Sequence, residues 1–280
     1  MVDGIRPKSL KKALEILSEQ QFTIMASGTD LMVQRARGFA LAPEFEKPLL
    51  FIEHLSELKK IYIENDEIHI GACAILTDIM HSEIIPPVLK DIIGQMASPP
   101  TRNMATLAGN ICNASPAGDS LPYLYAVDAK IVLQSSDEKR TMHVSEFITA
   151  AKKTVLKANE LVTDIIIPNK VYSHNVYRRL GQRKGMSLTK ASLLGMADIE
   201  EGKIIDIRIA LGAVSAIIAR SKEIEESLKN KKTEDLKTDV AEILAKYDPL
   251  IKPIDDARST AKYRKKVSLN LIKDFLENLN

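Results

Sequence analysis

The residues best suited to chemistry in this chain fall in two short stretches that mix glycine with small hydrogen-bonding side chains. Residues 106–119 read T-L-A-G-N-I-C-N-A-S-P-A-G-D, a run with two glycines, two asparagines, a Ser-Pro step and an aspartate. Gly109 and Gly118 permit close backbone approach or positive φ, and Asn110, Asn113 and Ser115 carry short donors and acceptors. The composition predicts a shaped loop rather than a continuous helix or strand, and such a loop either seats a ligand or is a solvated connection. Upstream, residues 22–25 predict a short buried strand, Ala26-Ser27-Gly28-Thr29-Asp30 a turn, and Leu31-Met32-Val33 the start of a helix. Free N–H groups at such a turn bind phosphate oxygens, and a side chain at position 28 would hold a phosphate off. The alternative is a turn that only caps its helix, with Asp30 as an ordinary N-cap.

Other chemistries find little support. His54, His69, His81, His143 and His174 are scattered without metal-ligand spacing, and Ser115 lacks the G-x-S-x-G setting of a hydrolase nucleophile. Cys73 and Cys112 are the only cysteines. Two thiols cannot hold an iron–sulfur cluster or a zinc ion by themselves, and a disulfide is not expected in a cytosolic protein. No catalytic residue and no metal ligand is therefore assigned. A net charge of +2 and an aromatic content of 5% without tryptophan argue against nucleic acid as a partner. No apolar run approaches the roughly 20 residues that span a bilayer, and residues 1–20 are charged and amphipathic without a signal-peptide core, which predicts a cytoplasmic protein and no membrane partner.

The elements that must position the two stretches follow from periodicity. Leu10, Ala13, Leu14 and Leu17 predict a helix over residues 7–20, and residues 49–52 a second strand, giving a small β-α-β unit up to about residue 55. Ile61 and Ile63, then Asn65-Asp66, then Ile68 and Ile70 predict a hairpin. Residues 77–80 and 88–96 read as helices. Ser98-Pro99-Pro100 is expected to be extended. Strands are predicted over residues 129–133 and 161–167, with a domain boundary at Pro168. Beyond it, residues 174–183, 187–199 and 203–214 predict an antiparallel sheet with a turn at Glu201-Gly202. Residues 217–228, 236–247 and 259–279 predict helices covering one face, an α+β arrangement. Lys262, Arg264, Lys265 and Lys266 read as the exposed face of the last helix, the alternative being a surface that docks an acidic partner.

Taken in order, the motifs resemble the FAD-binding (medium) subunits of molybdenum hydroxylases of the xanthine dehydrogenase and carbon monoxide dehydrogenase type. Ala26 to Leu31 (A-S-G-T-D-L) resembles the family's first FAD-binding loop. Arg102-Asn103, residues 106–110, Ala114-Ser115-Pro116 and Asp119 resemble the second loop and its continuation. Y-R-R-L-G-Q-R-K at residues 177–184 resembles the opening of the family's C-terminal domain. The chain departs from the common pattern at Ser27 and Ala108, where relatives often carry a second glycine. It departs again at Arg179, often lysine in relatives, and at Pro99-Pro100-Thr101. A side chain at position 27 or 108 is tolerated only with ordinary φ and a direction away from phosphate.

The resemblance implies an FAD-binding domain over residues 1–168, built of two α/β subdomains (about 1–55 and 56–168) in the manner of the vanillyl-alcohol-oxidase-like superfamily. A C-terminal α+β domain of the CO dehydrogenase flavoprotein type follows over residues 172–280. It implies FAD held by Met25, Ala26, Ser27, Gly28, Thr29, Asp30, Leu31 and Met32 in the first loop. Thr106, Leu107, Ala108, Gly109 and Asn110 would complete the pyrophosphate cradle. Asp119 would accept from ribityl hydroxyls, Arg179 would lie near the pyrimidine side of the flavin, and Met96 and Val162 would pack against it. Without the resemblance Asp30 and Asp119 read as cap or turn carboxylates, and Arg179 as a solvated strand arginine. Because a carboxylate repels phosphate, Asp30 is expected to accept loop N–H groups and fix the turn. The expected partners are a molybdopterin-binding large subunit and a [2Fe-2S] small subunit, with NAD as electron acceptor. Two rivals stand beside this: a self-contained FAD-dependent reductase of the same superfamily, and a scaffold subunit that has lost its flavin.

Overall fold

The structure is a computed structural model that describes residues 3–183 and 185–279; Lys184, the last residue of the Y-R-R-L-G-Q-R-K run, lies outside the described residues. The first unit contains β1 (Gly4–Ile5), α1 (Leu10–Glu19), β2 (Thr23–Met25), α2 (Leu31–Gln34) and β3 (Leu49–Phe51). Ser9 caps α1 by accepting the N–H of Lys12, and the helix buries Ala13, Leu14 and Leu17, the stripe predicted from spacing. β3 lies between β1 and β2 and runs parallel to both. The turn after β2 therefore leaves the carboxyl end of a parallel sheet, where open α/β sheets expose their ligand sites.

The second unit opens with the hairpin β4 (Ile61–Glu64) and β5 (Glu67–Gly71). Asn65 and Asp66 take φ of 50° and 60°, which two-residue hairpin turns of the primed type require. There follow α3 (Leu76–His81), α4 (Pro87–Gln95), α5 (Pro99–Arg102), α6 (Leu107–Asn113), α7 (Leu121–Ala126), β6 (Lys130–Gln134), β7 (Lys139–His143), α8 (Val144–Phe147), β8 (Ile148–Ala150), β9 (Lys153–Thr154) and β10 (Leu161–Pro168). The main sheet runs β4-β5-β10-β6-β7, antiparallel throughout. Ile68, Ile70, Ile131, Leu133, Ile165 and Ile167 form one core with Leu76, Leu89, Ile92, Ile111 and Leu124 from the helices between β5 and β6. The alternation along the strands thus fixes which sheet face those helices cover.

In this unit two local expectations are corrected. Pro99-Pro100 was expected to be extended; only Ser98 is, and the prolines open the single turn α5. At the first two helical positions the missing N–H groups are ones a helix leaves unpaired anyway. Residues 106–119 were expected to avoid helix, yet half of them form α6. Thr106 caps it by accepting the N–H of Gly109 at 3.0 Å, Leu107, Ala108 and Ile111 make its buried stripe, and Ala114 at φ 46° ends it. The cap and the stripe outweigh one helical glycine and two asparagines.

The third unit holds the antiparallel strands β11 (His174–Leu180), β12 (Ala191–Glu200) and β13 (Lys203–Gly212), with α9 (Lys222–Leu228), α10 (Thr233–Tyr247) and α11 (Ala261–Glu277). Glu201 and Gly202 form the predicted turn at φ 48° and 73°. The helix expected from residue 217 begins at Lys222, because Ala219 is drawn into a bridge with Leu211. Arg264, expected on an exposed basic face, is instead 5% exposed. Its guanidinium donates to the carbonyls of Lys190 and Ala213, each at 3.0 Å, and to Asp256 at 2.8 Å. α11 therefore carries a buried cation that pins the start of β12 to the end of β13.

Asp128, just after α7, latches the second unit to the third. Its carboxylate meets Arg220 at 2.9 Å, Arg208 at 3.2 Å and Lys222 at 2.7 Å. Burial alone would raise its pKa, but Lys222 and Arg220 hold it below the ordinary aspartate value. Arg220 is itself buried and pairs with the buried Glu225 at 2.9 Å.

Candidate functional site

The two predicted loops, far apart in sequence, meet in space. Ser27 Oγ donates to the carbonyl of Met104, 77 positions away. Gln34 at the end of α2 donates to Asn113 at the end of α6, at 2.8 Å, and Lys152 donates to the same amide oxygen. Leu76 N–H donates to the carbonyl of Ala105 at 2.8 Å, which fixes the backbone just before Thr106. One wall of the site thus comes from the parallel sheet and the other from the helices of the second unit.

Backbone geometry in the first loop suits an anion. None of the N–H groups of residues 27–31 meets an acceptor among the described residues, and orphan donors in a row make a concavity that attracts negative charge. Gly28 takes φ 72°, and a Cβ there would lie 3.1 Å from Met32 Cγ and 3.2 Å from Met25 Sδ. A side chain here is strained by the backbone conformation and would also press Met25 and Met32 aside. Ser27 is absent from the positive-φ residues and its hydroxyl is committed to Met104. Ala108 likewise has ordinary φ, and its methyl is buried in the main core. Both departures from paired glycines thus meet the condition under which a side chain is tolerated, and they give the scaffold rival no support. Asp30 departs from expectation: it makes no side-chain cap and accepts no loop N–H, taking instead the side-chain amide of Gln34 at 2.6 Å. In α6 a Cβ on Gly109 would come within 2.9 Å of Thr106 Oγ1, so glycine protects the cap.

Asp119 and Arg179 are brought together. Asp119 Oδ1 receives Thr189 Oγ1 at 2.5 Å, Arg179 Nε at 3.1 Å and Tyr177 OH at 3.2 Å. Oδ2 has no partner among the described residues, so one carboxylate oxygen is left for a hydroxyl donor. Burial raises the pKa of Asp119, and the donors from Thr189, Arg179 and Tyr177 offset only part of that rise. The Arg179 side chain is 7% exposed, which excludes the solvated-strand reading. Its Nε donates to Thr189 at 2.8 Å, Nη1 to the carbonyl of Gln95 at 3.3 Å and Nη2 to the carbonyl of Ser187. Gln95 ends α4, so the cation sits at the negative end of that helix.

The remaining predicted residues divide by burial. Met25, Met96 and Val162 are each 6% exposed, and the last two belong to the main core with Leu107, Ala108 and Tyr177. Ala26, Thr29, Leu31 and Asn110 are half-buried, and Met32 is 42% exposed. Sequence reasoning missed Thr189 and the role of Tyr177. Tyr177 precedes Arg179 by two in β11, which puts both on one sheet face, a readable signal. Thr189 carried none, because its contact depends on where the chain re-enters the sheet.

Cys73 is buried, Cys112 is exposed and both are free. Burial pushes the Cys73 thiol up to about 12, which disfavours thiolate chemistry there. No cluster of metal-ligating side chains occurs among the described residues, and no helix is long and apolar enough to cross a membrane.

Comparison with known proteins bears on this geometry. Residues 1–170 match the family described as FAD binding domain in molybdopterin dehydrogenase, and residues 178–279 match the CO dehydrogenase flavoprotein C-terminal domain. The glyceraldehyde dehydrogenase medium chain of Sulfolobus acidocaldarius is 29% identical over 94% of this chain and 92% of its own length. The nicotinate dehydrogenase FAD-subunit of Eubacterium barkeri is 30% identical over 65% of this chain and 64% of its own. Among solved structures, carbon monoxide dehydrogenase from Hydrogenophaga pseudoflava superposes with a TM-score of 0.86 at 25% identity, covering 98% of this chain and 96% of that one. An orphan N–H row beside Gly28, an acidic acceptor and a buried cation fit a phosphate-bearing redox cofactor. The chain belongs to the FAD-binding molybdopterin dehydrogenase family, as an FAD-dependent oxidoreductase subunit.

Proposed function

We propose that this chain transfers electrons through FAD between a [2Fe-2S] small subunit and a soluble acceptor, NAD, within an assembly whose molybdopterin-binding large subunit oxidises the substrate. The row of N–H groups at residues 27–31 that meet no acceptor among the described residues, beside a glycine at positive φ, supports the cofactor-binding part of this reading. In it, those N–H groups and the Thr29 hydroxyl hold the pyrophosphate, with Met25, Ala26 and Met32 flanking them. Residues Thr106 to Asn110 close the cradle from the other wall. Asp119 Oδ2 would accept from the ribityl chain, Arg179 would place its charge near the pyrimidine side of the ring, and Met96 and Val162 would supply apolar packing. When bound there, FAD would supply the redox chemistry, and the chain's residues would hold and orient it.

Relatives named for glyceraldehyde and for nicotinate match this chain over 94% and 65% of its length. Such different substrates fit a chain that does not itself bind what the assembly oxidises. Residues 1–168 form the FAD-binding domain in this reading and residues 172–280 the C-terminal domain, and the protein works in the cytoplasm. Affinity isolation of the tagged chain from its native cells tests the partners. Two further chains, one carrying molybdenum and one iron and sulfide, are expected, with NAD reoxidising the reduced flavin. A chain that isolates alone and turns over a small substrate would instead be the self-contained reductase.

A further inference from the structure

We propose that Thr189 is a positioning residue of the cofactor cleft, whose hydroxyl bridges Arg179 to Asp119 and keeps the cation where it acts on bound flavin. The inference rests on the reading that this cleft seats the flavin. A guanidinium only donates and a carboxylate only accepts, so the roles of the hydroxyl between them are fixed. Its one hydrogen points to Asp119 Oδ1, 2.5 Å away, and a lone pair receives Arg179 Nε at 2.8 Å. At 2% exposure the hydroxyl is shielded from bulk solvent.

The bridge matters because the direct contact competes with it. Arg179 Nε is also 3.1 Å from Asp119 Oδ1, so one N–H is shared between the hydroxyl and the carboxylate. Without the hydroxyl, a bidentate ion pair becomes the better arrangement for the guanidinium, and it would rotate onto Asp119. Among the described residues, the 3.3 Å contact to Gln95 and the contact to Ser187 are what oppose that movement. The backbone behind Thr189 is unusually well held. Lys190 N–H donates to Leu180 at 2.7 Å, and the Lys190 carbonyl accepts from the buried Arg264 at 3.0 Å. The hydroxyl therefore acts from a fixed platform, and it joins the group that holds the ribityl chain to the group that sets charge at the ring.

The test is the reduced-to-oxidised flavin ratio of the FAD-loaded chain against a dye of known potential, with melting curves alongside. Thr189→Val is expected to lower that ratio at fixed potential by roughly threefold to tenfold, tenfold being about 30 mV for a two-electron couple. Thr189→Ser, which keeps the hydroxyl, is expected to restore it. In an Arg179→Ala background, Thr189→Val is expected to change nothing, because there is no cation left to place. A purely structural threonine would lower the melting temperature and leave the ratio unmoved, which would overturn the proposal. So would an undiminished effect of Thr189→Val without Arg179. Thr189→Ala replaces the valine variant if the latter does not retain FAD. A wild-type chain that takes up no FAD overturns the functional reading itself, an outcome distinct from a loaded chain with an unmoved ratio.

Discussion

Ser27 Oγ donates its hydrogen bond to the carbonyl of Met104, and so joins the turn after the parallel sheet to the segment that leads into α6. A residue that looks like a defect beside a glycine pattern is thus the tie between the two walls of the site. A second glycine there would give the loop more freedom but lose this tie. The hydroxyl trades backbone freedom for a fixed distance between the loops.

Gly28 should be irreplaceable for cofactor retention. A left-handed backbone costs a non-glycine residue about 1–2 kcal/mol, and the new Cβ would press on Met25 and Met32. Gly28→Val is expected to purify without flavin while the C-terminal domain keeps its fold by circular dichroism. Flavin occupancy equal to wild type would remove the first loop from the site.

Asp119 gives the site an acid limit. Its folded pKa lies above the ordinary 3.8, chiefly through burial. The ionised form accepts hydrogen bonds and pairs with Arg179, so FAD affinity should fall as pH drops through the raised value, before an ordinary aspartate would titrate. The sign for the apoprotein is opposite: a raised carboxylate pKa means the folded state binds the proton more tightly, so this group's contribution to stability improves as pH falls through the same window. FAD titrations taken from neutral pH down towards the ordinary aspartate value of 3.8 are expected to show acid-weakened binding that sets in above that value. Asp119→Asn should bind weakly and without that pH dependence.

Removing the cation should make the flavin harder to reduce. With Arg179 in place the local charge of the pair is close to zero; Arg179→Ala leaves Asp119 alone, and an uncompensated negative charge opposes the gain of electrons. A drop of about 1.4 kcal/mol in the stability of the reduced form, tenfold in the reduced fraction, is expected. Potentiometric titration checks it, with FAD still bound. An unchanged potential would return Arg179 to a structural role.

The buried Arg220–Glu225 pair behind the Asp128 latch should be worth more than a surface ion pair. Arg220 and Glu225 have side chains 6% and 4% exposed, and Glu225 also accepts the N–H of Ile209 at 2.9 Å. Arg220→Ala leaves a buried carboxylate without its cation, which typically costs about 3–5 kcal/mol. Urea denaturation should register the loss, with Arg220→Lys recovering part of it.

Much of this was legible in the residues. The α1 stripe, the Asn65-Asp66 hairpin turn and the three antiparallel strands of the last unit each follow from a local pattern strong enough to survive in the fold. The turn around Gly28 was legible for the same reason. What failed was local structure decided by competition. Pro99-Pro100 can stop a helix or start one, and the free N–H groups of a first turn decided for the start. In residues 107–113 the Thr106 cap and three apolar contacts overrode the glycine. The burial of Arg264 and the placement of Thr189 were not legible, because both depend on carbonyls and carboxylates brought in from distant strands.

The most direct measurement is the absorption spectrum of the purified chain with its released cofactor identified by mass. FAD close to one per chain is the expected result. A colourless chain that takes up no flavin when FAD is added, alone or with its partner subunits, would contradict the account.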